Sequence, residues 1–113
     1  MTKDPNILLK HILESIDILE SYIKDLSKDE YLQSVAIQDS TERRLQVIGE
    51  AVSQLPQSFK DKHPNLAWAK IAALRNRLVH EYFDVDHVLV WEILSNHVPK
   101  FKLQVQKLLG EKS

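Results

Sequence analysis

Apolar residues recur at intervals of three and four along most of the chain, and short polar segments separate these stretches. The first stretch predicts an amphipathic helix over about residues 5–25. Asp4 and Pro5 suit its start, because the aspartate can accept a hydrogen bond at the cap and proline fixes φ at the first helical position. Its apolar face is predicted to hold Leu8, Ile12, Ile16, Leu19, Ile23 and Leu26.

A second helix is predicted between Ser27 and Pro56. Ser27 and Glu30 form the pattern of a capping box, and Leu26 and Tyr31 are placed to form a hydrophobic staple around it. The helix should end before Pro56, because proline disfavours the helical conformation of the residue that precedes it. Its apolar face is predicted to hold Thr41, Leu45, Ile48, Val52 and Leu55.

Gly49 lies inside this second helix, where glycine costs about 1 kcal/mol relative to alanine. We expect a glycine here because another backbone approaches the helix closely. The alternative is that the glycine has no structural role.

The next segment, residues 56–65, has the sequence "PQSFKDKHPN" and predicts a loop with at most one helical turn. Asn65 is placed to cap a third helix with the sequence "LAWAKIAALRNRLVHEYF". Asp84 or Asp86 is placed to cap a fourth helix in the same way.

Pro99 suits the start of a fifth helix, and Gly110 suits its end. The sequence contains no strand-like alternation, no repeat and no low-complexity tail. It therefore predicts an all-α, up-and-down bundle of four to five helices, in a single domain over residues 1–113.

Composition narrows the class of protein. The 113 residues include no cysteine, which excludes disulfides and zinc–thiolate sites. The net charge is −1, so binding to nucleic acid would have to come from a local cluster of cations. The sequence shows no apolar signal region and no apolar run near the roughly 20 residues that cross a bilayer. We expect a cytoplasmic protein without a membrane span.

The third helix concentrates polar side chains in "LRNRLVHEYF", residues 74–83. At about 100° per residue, its positions divide into two stripes. The apolar stripe comprises Ala67, Ile71, Leu74, Leu78 and Tyr82, and the second stripe comprises Ala69, Ala73, Asn76 and His80. The small residues of the second stripe would allow close approach, either by a partner chain or by another helix of the same chain.

Arg75 and His80 do not point the same way on an ideal helix. They are five positions apart, which corresponds to about 140° around the axis and about 7.5 Å along it. Arg75 instead shares a side with Tyr82, and His80 shares one with Asn76. A site that uses both Arg75 and His80 is therefore predicted to be a cleft between helices, with a dimer axis as one candidate.

The chemistry of this pair suits an anionic substrate. The guanidinium of Arg75 can bind a phosphate through two hydrogen bonds, and the imidazole of His80 can transfer protons near neutral pH. RNA brings its own nucleophile, the 2′-hydroxyl, so these two groups could support its cleavage without a metal. Spacing alone leaves open the alternative that this segment is an exposed helix end with solvated charges.

Other catalytic patterns are absent from the sequence. The five histidines include no H-E-x-x-H and no pair four apart on a helix, so no zinc site is expected. There is no glycine-rich phosphate loop and no G-x-S-x-G turn.

A charged row on the second helix has two interpretations. Its members are Asp39, Arg43, Gln46 and Glu50. Their spacing favours a solvated ladder of ion pairs within the helix. Alternatively, Arg43 or Arg44 faces the same cleft as Arg75 and follows an RNA backbone. Arg77 is a further candidate for such a contact.

The segment from Arg75 to Tyr82 fits R-x-x-x-x-H-x-Y with an asparagine directly after the arginine, and it resembles the motif of HEPN-domain ribonucleases. Within that superfamily the chain resembles the HepT-like toxin family over about residues 4–109. The similar blocks, in the usual order, are "HILESIDIL" at 11–19, "RRLQVIGEA" at 43–51, "HPNLAWAKIAALRNRLVHEYF" at 63–83 and "VWEIL" at 90–94.

The resemblance implies an all-α HEPN fold, a homodimer and a metal-independent endoribonuclease cleft formed by both protomers, with no cofactor. It also implies a toxin that acts beside an MntA-like nucleotidyltransferase antitoxin, in a complex that can exceed a dimer. In the family this partner adds AMP to the motif tyrosine and silences the toxin. Carried over, Arg75 and His80 are the catalytic pair, Asn76 supports the site and Tyr82 is the modified residue.

A second hypothesis is a non-catalytic helical module, in which Arg75 and His80 only recognise a nucleotide or dock a nucleotidyltransferase. A membrane-binding amphipathic helix is disfavoured, because the basic residues do not line one face and the net charge is −1.

Overall fold

The computed structural model describes residues 4–80 and 84–111. In these residues the chain is helical, with no strand, and the predicted all-α bundle is confirmed. The helices are α1 (Pro5–Ile23), α2 (Lys28–Gln33), α3 (Val35–Gln54), α4 (Gln57–Asp61), α5 (Trp68–His80), α6 (His87–Glu92) and α7 (Val98–Glu111). A π-helical turn, Ile93–His97, connects α6 to α7.

The first two helix starts follow the sequence prediction. Asp4 caps α1 by accepting a hydrogen bond from the backbone N–H of Asn6 at 2.9 Å. Ser27 and Glu30 form a complete capping box, in which each side chain accepts a hydrogen bond from the backbone N–H of the other residue, at 3.1 and 2.9 Å. Asp86 caps α6 through the N–H of Leu89, as one of the two predicted alternatives requires.

The predicted second helix is divided at Ser34. This residue is extended, with φ −110° and ψ 100°, and its hydroxyl accepts a hydrogen bond from the N–H of Ile37, which starts α3. The side-chain amide of Gln38 donates to the carbonyls of Tyr31 and Leu32 and so satisfies the end of α2. The prediction of one uninterrupted helix was wrong because three local side-chain hydrogen bonds, one accepted by Ser34 and two donated by Gln38, stabilise a break.

The C-terminal half also departs from the prediction. Pro99 does not begin a separate helix, because α6, the π-helical turn and α7 follow one another without a loop. The wide turn ends at His97, two positions before Pro99, whose missing N–H and bulky ring would otherwise disrupt a regular helix. Gly110 is the second-last residue of α7, close to the predicted end, and Asn65 lies in a turn three residues before α5.

Helix α3 is central to the bundle and packs against both α1 and α5. Its predicted apolar face is buried, including the hydroxyl residue Thr41, which hydrogen-bonds within its own helix. Trp68 and Phe101 pack edge to face in the core, with ring centroids 5.8 Å apart, and Trp91 packs half-buried against Tyr31. In the described part of the chain, no helix is both long and apolar enough to cross a membrane.

Candidate active site

Gly49 allows α5 to lie directly on α3. A Cβ added at Gly49 would lie 2.3 Å from the Cβ of Arg75 and 2.8 Å from its Cγ, closer than real atoms come. The carbonyl oxygen of Ile71 would lie 3.4 Å away. The predicted reason for the glycine, close approach of another segment, is therefore confirmed, and that segment is the helix that carries the candidate catalytic arginine.

The head of Arg75 is fixed by two acceptors. Its Nη2 donates to Oε2 of Glu50 at 2.8 Å, and its Nη1 donates to Oδ1 of Asn76 at 3.1 Å. The side chains of Arg75 and Glu50 are 31% and 49% exposed, so the ion pair remains open to a ligand from solvent. Asn76, which was predicted to support the site, thus contacts Arg75 in this chain.

Arg75 and Glu50 line a pocket of about 450 Å³ between α1, α3 and α5. The other polar side chains in its wall are His11, Arg43, Gln46 and Gln54, and the apolar ones are Leu8, Val47, Ala51 and Val79. Two arginines and a histidine therefore face one carboxylate. This excess of cations and amide donors suits a phosphate group.

His80 lies elsewhere on the same helix. It is the last residue of α5, it is exposed, and its side chain has no hydrogen bond or ion pair with any described residue. Ala69, Ala73 and Asn76, which share its stripe, are exposed as well. Arg75 and His80 therefore point to different sides of α5, as predicted from the sequence: Arg75 faces the pocket and His80 faces solvent. The alternative that the alanines pack against another helix of the same chain is wrong.

The other predicted site residues, the three candidate RNA-binding arginines and the tyrosine, differ in where they lie relative to the Arg75 pocket. Arg43 is exposed and lines the pocket beside Arg75, whereas Arg44 is half-buried and outside that wall. Arg77 is exposed on α5 and is also absent from the wall. Tyr82, the predicted site of modification, lies outside the described residues.

The structure contradicts the interpretation of the charged row on α3 as a ladder within one helix. Glu50 pairs with Arg75 of another helix, and among the described residues Arg43 forms no ion pair with Asp39 or Glu50. The alternative, in which Arg43 faces the same cleft as Arg75, agrees with the structure.

Glu50 and His11 are pocket residues to which the sequence assigned no role in the site. The spacing within α3 placed Glu50 beside Arg43, and nothing local indicated a partner 25 positions away. His11 enters the pocket because α1 packs along α3. His11 begins the block "HILESIDIL", one of the stretches that carry the family resemblance, and this position was the one indication in the sequence that it could belong to the site.

A second pair of titratable groups connects α3 to α6. Nδ1 of His87 lies 3.8 Å from Oε2 of Glu42, and neither atom has a hydrogen-bond partner in the described chain. Burial raises the pKa of Glu42 above its ordinary value, against an opposing effect of His87 and with a smaller contribution from Asp39. Within the described residues, no three histidine, aspartate or glutamate side chains gather closely enough to hold a metal ion.

Comparison with known proteins places these features in a family. The family model described as "Ribonuclease HepT-like" matches residues 12–108. A protein of Methanocaldococcus jannaschii named "Gamma-glutamylcyclotransferase and putative RNase MJ0434" is 40% identical over 111 residues, which cover 98% of this chain and 50% of that protein. The chain thus spans half the length of that relative.

Two other relatives are matched over nearly their whole length. "Putative RNase TTE0752" of Caldanaerobacter subterraneus subsp. tengcongensis is 35% identical, with 95% of this chain and 96% of that protein covered. "tRNA nuclease HepT" of Aphanizomenon flos-aquae is 29% identical, with 96% and 92% covered. No solved structure matches the chain.

The chain belongs to the HepT-like ribonuclease family. The family predicted from the sequence is therefore confirmed, and at the level of the family so is the predicted class of enzyme, a ribonuclease.

Proposed function

We propose that this chain is a metal-independent endoribonuclease and the cytoplasmic toxin of a HepT/MntA-type toxin–antitoxin system. The observation that carries the proposal is the placement of Arg75. Its guanidinium is oriented by two acceptors at the wall of a cationic pocket, while the motif histidine, His80, remains exposed on the same helix.

A homodimer would complete the site. Arg75 and His80 leave α5 in different directions, so a single chain does not bring them to one phosphate. The exposed stripe that contains Ala69, Ala73 and His80 would allow the α5 helices of two protomers to approach closely. Arg75 of one protomer would then face the same cleft as His80 of the partner subunit.

The proposed reaction uses the substrate's own 2′-hydroxyl. His80 takes the proton of this hydroxyl, and the 2′-oxygen forms a bond to the adjacent phosphorus while the bond from phosphorus to the 5′-oxygen breaks. Arg75 stabilises the additional charge on the phosphoryl oxygens, and the protonated imidazole returns a proton to the departing 5′-oxygen. The products are a 2′,3′-cyclic phosphate and a 5′-hydroxyl.

Transfer RNA is the first substrate to test, because one relative is named a tRNA nuclease. Arg43 is the best supported of the three candidate backbone contacts, since it shares the pocket with Arg75. Arg44 and Arg77 are proposed as contacts on the strength of the sequence.

Regulation by an MntA-like nucleotidyltransferase antitoxin completes the proposal. The partner would add AMP to Tyr82, which is seven residues from Arg75. We propose that the added phosphate competes with RNA for the guanidinium of Arg75. If the AMP-modified chain binds RNA as tightly as the unmodified chain does, this competition does not occur. Tyr82→Phe should abolish modification and leave cleavage intact.

Cleavage of a tRNA mixture by the purified chain in EDTA tests the activity. The wild-type chain should cut, His80→Ala should abolish cutting, and His97→Ala, which removes another exposed histidine, should have no effect. Circular dichroism should show equal folding of all three chains.

A requirement for added Mg²⁺ would contradict the metal-independent mechanism. A folded wild-type chain that cuts no RNA but binds nucleotides or the nucleotidyltransferase would favour the non-catalytic module instead.

A further inference from the structure

We infer that Glu50 is a positioning residue, which holds the guanidinium of Arg75 in the orientation that receives the substrate phosphate. This inference rests on the proposed ribonuclease function. It assigns a role to a residue that lies outside the R-x-x-x-x-H-x-Y segment, on a different helix.

Two consecutive residues of α3 fix the two ends of the Arg75 side chain. At Gly49, the absence of a Cβ allows the Cβ and Cγ of Arg75 to rest on the helix. At Glu50, the carboxylate accepts a hydrogen bond from Nη2 at 2.8 Å. Arginine has several rotatable bonds, so fixing its stem and its head together removes most of the freedom that substrate binding would otherwise have to restrict.

The fixed guanidinium keeps enough donors for a phosphate. Of its five N–H groups, one is used by Glu50 and one by Asn76. Three remain without a partner in the described chain. A phosphate needs two of these for a bidentate contact, so Glu50 can stay bound while the substrate binds.

The charge of the pocket agrees with a positioning role. Glu50 supplies the one carboxylate in the described wall, where His11, Arg43 and Arg75 supply the cationic or protonatable groups. With Arg43 present, the pocket retains positive charge after Glu50 neutralises Arg75.

A merely structural ion pair is the competing explanation. Ion pairs that are open to solvent stabilise proteins little, and here Glu50 is exposed and Arg75 is only half-buried. Removing Glu50 should therefore leave the melting temperature nearly unchanged. An effect on catalysis without an effect on stability separates the two explanations.

The experiment compares Glu50→Ala and Glu50→Gln with the wild-type chain and a matched control. Glu20→Gln is the control, because Glu20 forms an ion pair of the same kind with Lys102, at 2.7 Å and on α1, away from the pocket. Each chain is tested for tRNA cleavage, for its melting temperature and, by NMR, for hindered rotation of the Arg75 guanidinium.

For Glu50→Ala we expect kcat to fall about 10- to 100-fold, with a smaller change in KM, because misplacement of a catalytic group by about 1 Å has effects of this size. Glu50→Gln should retain part of the activity, since its amide oxygen can accept the same hydrogen bond. Glu20→Gln should match the wild type. Hindered rotation of Arg75 should be lost in Glu50→Ala alone.

Three results would overturn the inference: unchanged kcat in Glu50→Ala, faster cleavage or tighter RNA binding in that variant, or unchanged NMR signals of Arg75. Failure of the proposed function is distinguishable from these. If no chain cuts RNA, the ribonuclease proposal fails, and the NMR comparison still decides whether Glu50 orders Arg75.

Discussion

Gly49 and Arg75 lie in direct contact between α3 and α5, and the space that a side chain at position 49 would need is filled by the Cβ and Cγ of the arginine. The close approach of α3 and α5 and the location of the Arg75 guanidinium therefore both depend on the absence of a Cβ at Gly49.

Gly49→Ala should separate the two helices and reduce activity. The added methyl would overlap the Cβ of Arg75, which cannot move without its helix, so overpacking should cost about 1–3 kcal/mol. Better helix propensity would offset about 1 kcal/mol of this. Urea denaturation should show a net loss of stability, and cleavage assays should show a lower kcat.

Gly110→Ala is the matched control for this substitution. Gly110 also lies in a helix, but a Cβ added there meets no atom within 4 Å. This variant should be as stable as the wild type or slightly more stable. Equal stability of the two alanine variants would show that the contact at Gly49 is not tight.

A mixing experiment should reveal a composite cleft. Arg75→Ala and His80→Ala chains should each be inactive alone. In a mixed dimer, intact Arg75 of one protomer would meet intact His80 of the other, so co-expression should restore part of the activity. No recovery in purified mixed dimers would indicate that both residues act within one chain.

The exposed stripe of α5 should be needed for dimer formation. Ala73→Arg places a long charged side chain on that stripe, and it should shift the chain to a monomer in sedimentation experiments. Ala36→Arg, at another exposed alanine in a helix, is the control and should remain dimeric. If Ala73→Arg stays dimeric with full activity, the dimer forms through another surface.

Arg43 and His11 in the pocket wall should bind the RNA backbone. Arg43→Ala and His11→Ala should each weaken binding of an RNA whose 2′-hydroxyls are methylated and which therefore cannot be cut. Loss of one phosphate contact should lower the slope of log affinity against log salt by about 0.7. Lys24→Ala, which removes an exposed cation after α1, should change neither quantity. A salt slope unchanged by Arg43→Ala would place RNA outside this pocket.

The buried carboxylate of Glu42 should make stability depend on pH. Because burial raises its pKa in the folded state, the folded chain holds this proton more tightly than the unfolded chain does. Its stabilising effect is therefore complete at pH values below the unfolded pKa and is lost as the pH rises through the folded value. Glu42→Gln removes this dependence.

Denaturation at a series of pH values, from below 4.5 towards neutrality, checks this sign. The wild-type chain should lose stability relative to Glu42→Gln as the pH rises. The opposite trend would mean that the interaction with His87 outweighs the cost of burial.

The sequence predicted those parts of the site that depend on one helix. The geometry of an ideal helix is enough to separate Arg75 from His80, and the cost of a glycine inside a helix indicated a close approach at Gly49. The partner of Arg75 could not be found in this way, because Glu50 meets it only through the packing of two helices. The same limit applies to His11, which reaches the pocket through the packing of α1 on α3.

The breaks between helices were predicted less well, for a local reason. A serine is tolerated inside a helix, but Ser34 caps α3 instead. The hydrogen bond from the Gln38 side chain to the end of α2 favours this break over a continuous helix. At Pro99 the expected break is replaced by a wide turn. Both outcomes depend on local backbone and side-chain hydrogen bonding, which the periodicity of apolar residues does not describe.

The wide turn at Ile93–His97 has a consequence for the C-terminal helix as a whole. Its N-terminal part, α6, packs on α2, and its C-terminal part, α7, packs on α1. One nearly continuous helical segment therefore contacts two different helices. Each residue of a regular helix turns the following side chains by about 100°. The turn therefore sets the direction in which the side chains of α7 point relative to those of α6. Deleting one residue from the turn would rotate Phe101 out of the core and leave α6 in place.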